Sequence, residues 1–121
     1  LHKGAQYVVA ELDGVLPTTA AELIKIPGIG RYTAGAIASI SAGEVTPVVD
    51  GNVIRVVSRL RAIELDAKQP VLIKHCWEVA TAMVDPVRPG DFNQAMMELG
   101  ATVCTPKAPS CDSCPVQSVC T

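Results

Sequence analysis

The sequence has 121 residues, 49% of them hydrophobic and 18% charged, a balance that excludes a disordered chain and suits one globular domain, or part of one, with a buried core. Ten basic residues against twelve acidic ones leave a formal charge of −2, so non-specific, charge-driven binding to nucleic acid is disfavoured, though a grip on phosphate through backbone N–H groups is not. No apolar run approaches the roughly 18 residues of a membrane span, and with aromatics at only 3% the core must come from Ala, Val, Ile, Leu and Met.

The chain opens on Leu1-His2-Lys3-Gly4-Ala5, without an initiating methionine or a signal peptide, and reads as the interior of a longer protein. Lys3 to Leu12 is weakly helical and Asp13-Gly14 turns the chain. Thr19 and Glu22 fit a capping box that opens a short helix, which Pro27-Gly28 ends. A second helix is expected from Arg31 to Ala42, rich in small residues that permit close backbone approach, with Gly43 as its stop.

Ile26-Pro27-Gly28-Ile29-Gly30 lies between these two helices, and Pro27 with Gly28 satisfies a type II turn. The next helix then begins with unpaired N–H groups beside a tight turn, which is an anion site in outline. A ligand-free helical hairpin explains the turn equally well, and Gly30, which the turn does not require, favours phosphate. Carbonyls near Ile24, Ile26 and Ile29 could also hold a monovalent cation bridging to that phosphate.

Val48-Val49 is briefly extended, and Asp50 is a good N-cap for a helix carrying Val53, Val56, Val57 and Leu60 on one face. Capping alone accounts for Asp50. A carboxylate there could also, as the lesser reading of these residues by themselves, stabilise or capture the oxocarbenium-like sugar formed when an N-glycosidic bond breaks. Asn52 and Tyr32 could orient it, whereas Glu44 and Glu98 are unconvincing as the acid that must protonate the leaving base. Arg55 and Arg59, one helical turn apart, fit either a structural or a DNA-facing role.

A further helix is expected near Pro70, carrying Leu72, Cys76, Val79, Ala80 and Met83, with Cys76 a buried thiol. After the break at 85–90, Asp91 and Gln94 predict a second capping box, with Phe92, Ala95, Met96 and Leu99 inward and Gly100 closing the helix. No strand pattern, repeat or interior linker appears, so the fold class is all-α.

Four of the five cysteines fall in the last eighteen residues, at Cys104, Cys111, Cys114 and Cys120. A terminal cluster reads as a metal site in a reducing compartment, not as a disulfide framework. Zinc and a 4Fe-4S cluster both suit four thiolates. The single tight pair with wide arms favours the cluster. The chain thus divides into a helical region, 1–103, and a metal loop, 104–121.

Taken together, the 26–37 stretch, Val49-Asp50-Gly51-Asn52-Val53, the Phe92–Gly100 segment and the C-x6-C-x2-C-x5-C tail resemble the helix-hairpin-helix DNA glycosylase superfamily with its 4Fe-4S loop. The resemblance covers essentially the whole chain. It implies that Gly28, Ile29, Gly30, Arg31 and Thr33 bind DNA, that Asp50, Asn52 and Tyr32 form the catalytic group, and that the four tail cysteines bind the cluster. The bifunctional, endonuclease III-like branch carries a lysine where this chain has Tyr32, and that amine forms a Schiff base with the sugar. Tyr32 and the Asp50-Gly51-Asn52 tripeptide are instead similar to the monofunctional MutY-type adenine glycosylases, which remove adenine opposite 8-oxoguanine or guanine in double-stranded DNA.

That resemblance puts the family's protonating glutamate before Leu1 and its 8-oxoguanine-reading domain after Thr121, so these 121 residues alone are expected to lack turnover. It also implies a monomer with no membrane association, working in the nucleus or mitochondrion of a eukaryote, or in the cytoplasm and nucleoid of a bacterium. Two rivals remain: the bifunctional lyase, and a non-catalytic DNA-binding module with a structural metal.

Overall fold

Local signals set most of the helix limits in the computed structural model, which describes all 121 residues. Helix α1 is His2–Glu11, α2 Ala20–Leu23, α3 Arg31–Ala42, α4 Gly51–Leu60, α5 Pro70–Met83 and α6 Pro89–Glu98. A π-helical turn, Leu99–Val103, continues α6, and the 3-10 turns Cys111–Ser113 and Gln117–Val119 punctuate the tail. There is no strand. No helix is long and apolar enough to cross a membrane.

Thr19 accepts the Glu22 N–H at the start of α2, and Asp50 does the same for Val53 at the start of α4. Gly43 ends α3 in the left-handed region, with φ 70°. Two apolar clusters follow from the helix faces. Leu23, Ile26, Ala34 and Ala38 join α2, the hairpin and α3, with Tyr7, Val8 and Leu12 of α1 against them. Val49, Val53, Val57, Leu72, Cys76 and Ala80 join α4 to α5. Each fully buried Val or Leu there contributes about 1.5–3 kcal/mol.

Helix α6 bridges the two clusters by packing on both α3 and α4. Small residues make this possible. A Cβ on Gly90 would lie 2.6 Å from the Ser39 carbonyl oxygen, and one on Gly35 would lie 2.6 Å from that of Pro47. Beneath Gly90, the buried amide of Asn93 donates to Ser39 Oγ and to the Thr46 carbonyl, both at 2.9 Å.

The structure differs from expectation at both ends of α6. The Asp91–Gln94 capping box does not form, because the helix starts at Pro89, with Arg88 at the N-cap. Proline suits the first helical position, where its missing N–H has no partner to lose. Asp85 prepares that start by accepting the Val87 and Arg88 N–H groups at 2.8 and 2.7 Å. Asp91 therefore sits in the first turn, 2.7 Å from Arg88, and Gln94 donates to the Gly90 carbonyl. Phe92, Met96 and Leu99 are half-buried, but Ala95 is exposed and Asn93 takes the buried position.

Nor does Gly100 close the helix. The chain winds on through Val103, and Gly100 is the point at which it passes the start of α4. Cys76 is fully buried as expected, and burial pushes its thiol pKa up, with the Ser58 hydrogen bond opposing.

Candidate active site and nucleic-acid interface

The hairpin turn is built as its residues require. Gly28 has φ +89°, and the Ile29 N–H donates to the Ile26 carbonyl at 3.1 Å, which closes a type II turn. The first helical bond of α3 runs from the Ala34 N–H to the Gly30 carbonyl. No side chain caps the Gly30 end, so the N–H groups of Arg31, Tyr32 and Thr33 are free at an exposed helix start. Gly30 sits in extended backbone, and a Cβ on it would meet nothing within 4 Å. Nothing inside the fold demands glycine there. Its smallness is useful only toward the outside, where an incoming group could approach the backbone.

Arg31 exposes its backbone but not a free side chain, since its guanidinium carbon lies 3.7 Å from the centre of the Trp77 ring. That contact ties the start of α3 to α5, and sequence reasoning missed it. Tyr32 is 41% exposed and its hydroxyl donates to Met97 Sδ at 3.5 Å. Thr33 is half-buried. Of the carbonyls considered for a cation, that of Ile26 is engaged by the turn itself.

At the start of α4 the structure brings Asp50 and Asn52 together. Asp50 Oδ1 accepts the Val53 N–H at 2.7 Å, and Asn52 Nδ2 donates to Asp50 Oδ2 at 3.3 Å. Both carboxylate oxygens are thereby fixed, at a helix end that favours negative charge. Gly51, like Gly30, has nothing within 4 Å of a built Cβ, so this face is open. Tyr32 makes no hydrogen bond to Asp50 or Asn52; its hydroxyl's one polar contact is with Met97, which packs on the cluster that contains Val49 and Val53. The Glu44 carboxylate accepts the Ala20 N–H at 2.7 Å and so helps to cap α2, the one role the geometry gives it.

Arg55 and Arg59 resolve to inward, structural roles. Arg55 donates to Asn52 Oδ1 and the Cys104 carbonyl, both at 2.8 Å, and to the Gly100 carbonyl at 2.5 Å. Arg59 donates to the carbonyls of Thr105 and Pro106 and to Cys104 Sγ at 3.4 Å. The two side chains therefore lash the cysteine-bearing tail to the helix that begins at Asp50.

None of the five cysteines is in a disulfide. The four in the tail form a donor set of soft sulfur alone, and a cationic N–H already faces one of them, features that fit an iron–sulfur centre. No three His, Cys, Asp or Glu side chains converge closely enough to hold a single metal ion.

Known proteins resemble this chain along nearly its whole length. A helix-hairpin-helix motif matches residues 11–40. Adenine DNA glycosylase of Rattus norvegicus is 60% identical over 121 residues, covering 99% of this chain and 23% of the relative. The Homo sapiens and Arabidopsis thaliana proteins of the same name are 58% and 57% identical, again over 99% of this chain, covering 22% and 19% of their own lengths. The chain thus spans about a quarter or less of the length of these relatives. Among solved structures, a thermostable thymine-DNA glycosylase superposes with a TM-score of 0.85 at 28% identity, covering 98% of this chain and 54% of that one. A trapped endonuclease III–DNA covalent intermediate superposes with a TM-score of 0.78 at 25% identity and the same coverages.

Proposed function

We propose that this chain, 58–60% identical over 99% of its length to the adenine DNA glycosylases of Homo sapiens and Rattus norvegicus, is the hairpin and metal-loop portion of a monofunctional adenine DNA glycosylase of the MutY type. The observation that carries this reading is the Asp50 carboxylate, held by two hydrogen bonds at an open helix start. The substrate is adenine mispaired with 8-oxoguanine or guanine in double-stranded DNA, wherever the cell keeps that DNA. The enzyme acts as a monomer.

In this reading the free amides of Arg31, Tyr32 and Thr33 receive a backbone phosphate beside the Gly28–Gly30 turn, and the carbonyls of Ile24, Ile26 and Ile29 would be the ones to hold a monovalent cation. Arg31 contributes by stiffening the helix start against Trp77 as well as by its charge. The adenine is flipped out of the duplex to reach the site. The C1′–N9 bond breaks with its electron pair going to the base, which takes up a proton. We assign that proton to an acid outside these 121 residues, since the chain spans about a quarter or less of the length of its relatives and the Glu44 carboxylate already accepts the Ala20 N–H. Asp50 holds the cationic sugar until a water oxygen bonds to C1′ and releases its own proton. Asn52 fixes the carboxylate, and Tyr32 stands beside the sugar without an amine to form a Schiff base.

Cys104, Cys111, Cys114 and Cys120 would hold a 4Fe-4S cluster in loop 104–121, where it would supply rigidity to a segment with little apolar content, or electron transfer. The test is single-turnover base release from an A:8-oxoguanine duplex by the full-length protein, with and without borohydride. Base release without a trapped adduct is expected. A covalent adduct would favour the lyase, binding with no base release would favour a non-catalytic module, and turnover by the 121 residues alone would overturn the need for an outside acid.

A further inference from the structure

We propose that Arg59 is the positioning residue of the sulfur centre, clasping both ends of the cysteine loop over the end of α4 and lending an N–H to Cys104 Sγ. This rests on reading the four tail cysteines as ligands of an iron–sulfur cluster. The residue meets the loop twice. Its guanidinium donates to Cys104 Sγ at 3.4 Å, to the Thr105 carbonyl at 2.8 Å and to the Pro106 carbonyl at 3.0 Å. Its own carbonyl lies 3.9 Å from the Cys120 sulfur, and the next carbonyl, of Leu60, accepts the Thr121 N–H at 3.4 Å. One position on α4 therefore touches the first and the last of the four cysteines.

A basic residue in the last turn of a helix commonly serves only the helix's own terminal carbonyls. Arg59 does not: every hydrogen bond its side chain makes goes to the loop. Arginine's planar fork spreads its donors over separate nitrogens and so serves a sulfur and two carbonyls together, whereas lysine must gather its three donors on one nitrogen. An N–H aimed at a ligand sulfur draws electron density from it and favours the more reduced, more negative state of the centre. Arg59 thus closes the cage and raises its reduction potential.

The experiment compares wild type, Arg59→Gln and Arg59→Lys in the full-length protein, purified without oxygen. Iron and acid-labile sulfide are counted, the loss of absorbance near 400 nm is followed in a chelator, and the potential is measured voltammetrically. Arg59→Gln should lose iron about tenfold faster than wild type and show a lower potential, and Arg59→Lys should lie between the two. Iron-free wild type would sink the cluster reading itself. Iron-loaded wild type with an Arg59→Gln variant of equal loss rate and potential would overturn the role of Arg59. Faster loss at an unchanged potential would overturn the sulfur contact. Should the glutamine variant fail to fold, a lysine variant identical to wild type in both measurements would overturn the proposal.

Discussion

Gly100 lies so close to Asn52 that a Cβ on it would stand 2.7 Å from the Asn52 Cβ and 2.9 Å from its carbonyl oxygen. The segment leading to the cysteine loop is thereby pressed against the residue that holds the Asp50 carboxylate. Gly100→Ala must push the two apart. It should destabilise the fold by about 1–3 kcal/mol, the usual range for overpacking. Misplacing Asp50 should also slow base release by roughly a hundredfold. Denaturant unfolding and single-turnover kinetics check the two effects separately. Unchanged kinetics in a destabilised variant would uncouple the tail from the site.

Asp50 caps α4 and is also the proposed sugar-stabilising carboxylate, and chemistry separates the two duties. Asparagine caps a helix about as well as aspartate. Asp50→Asn should therefore melt within a few degrees of wild type while base release disappears. Asp50→Ala should lose activity and about 1 kcal/mol of stability as well. Retained base release in the asparagine variant would leave capping as the only role.

Arg55 serves three acceptors, on Asn52, Gly100 and Cys104. Arg55→Met keeps most of the stem and removes every donor. The orphaned acceptors should cost about 1–3 kcal/mol. Urea unfolding of the full-length protein should show a lower midpoint at an unchanged slope.

Asn93 is buried, and its amide joins α6 to α3 and to the segment before Asp50. Asn93→Ala should lower stability by about 1–3 kcal/mol, through the unpaired Thr46 carbonyl and the donor lost to Ser39 Oγ, which keeps only its own bond to the Ala36 carbonyl. Thermal melts would read the loss. A neutral result would mean that water replaces the amide.

The pH dependence of stability should carry a mark of Asp85. The Arg88 backbone N–H, and after it that of Val87, holds this carboxyl below the usual carboxylate range. With the folded pKa under the unfolded one, the stabilisation is fully present above about pH 4. It is lost as pH falls through the lower, folded value. Asp85→Asn should flatten the acid side of a plot of melting temperature against pH. A variant curve parallel to wild type in that range would contradict the assignment.

The hairpin turn and three of the helix limits were legible from residues alone, because Thr19, Gly28, Gly43 and Asp50 act on backbone within one turn of themselves. The start of α6 was not legible. Pro89 and Asp91 are both sound start signals, and the Asp85 turn with the close pass of Gly90 over Ser39 chose between them. Asn93 gave no signal, since a polar side chain in an amphipathic stretch reads as solvent-facing until a hydroxyl and a carbonyl from elsewhere meet it.

Composition, the Pro-Gly turn, the aspartate cap and the spacing of the tail cysteines established by themselves an all-α chain with a tight hairpin turn and a sulfur-rich end. Only the folded arrangement decided that Arg55 and Arg59 face inward, that Arg31 rests on Trp77 and that the tail braces the aspartate loop. The reason is range: turn and cap chemistry act between neighbours in the chain. A long cationic side chain instead finds its partner some 45 residues away, through the angle at which helices cross.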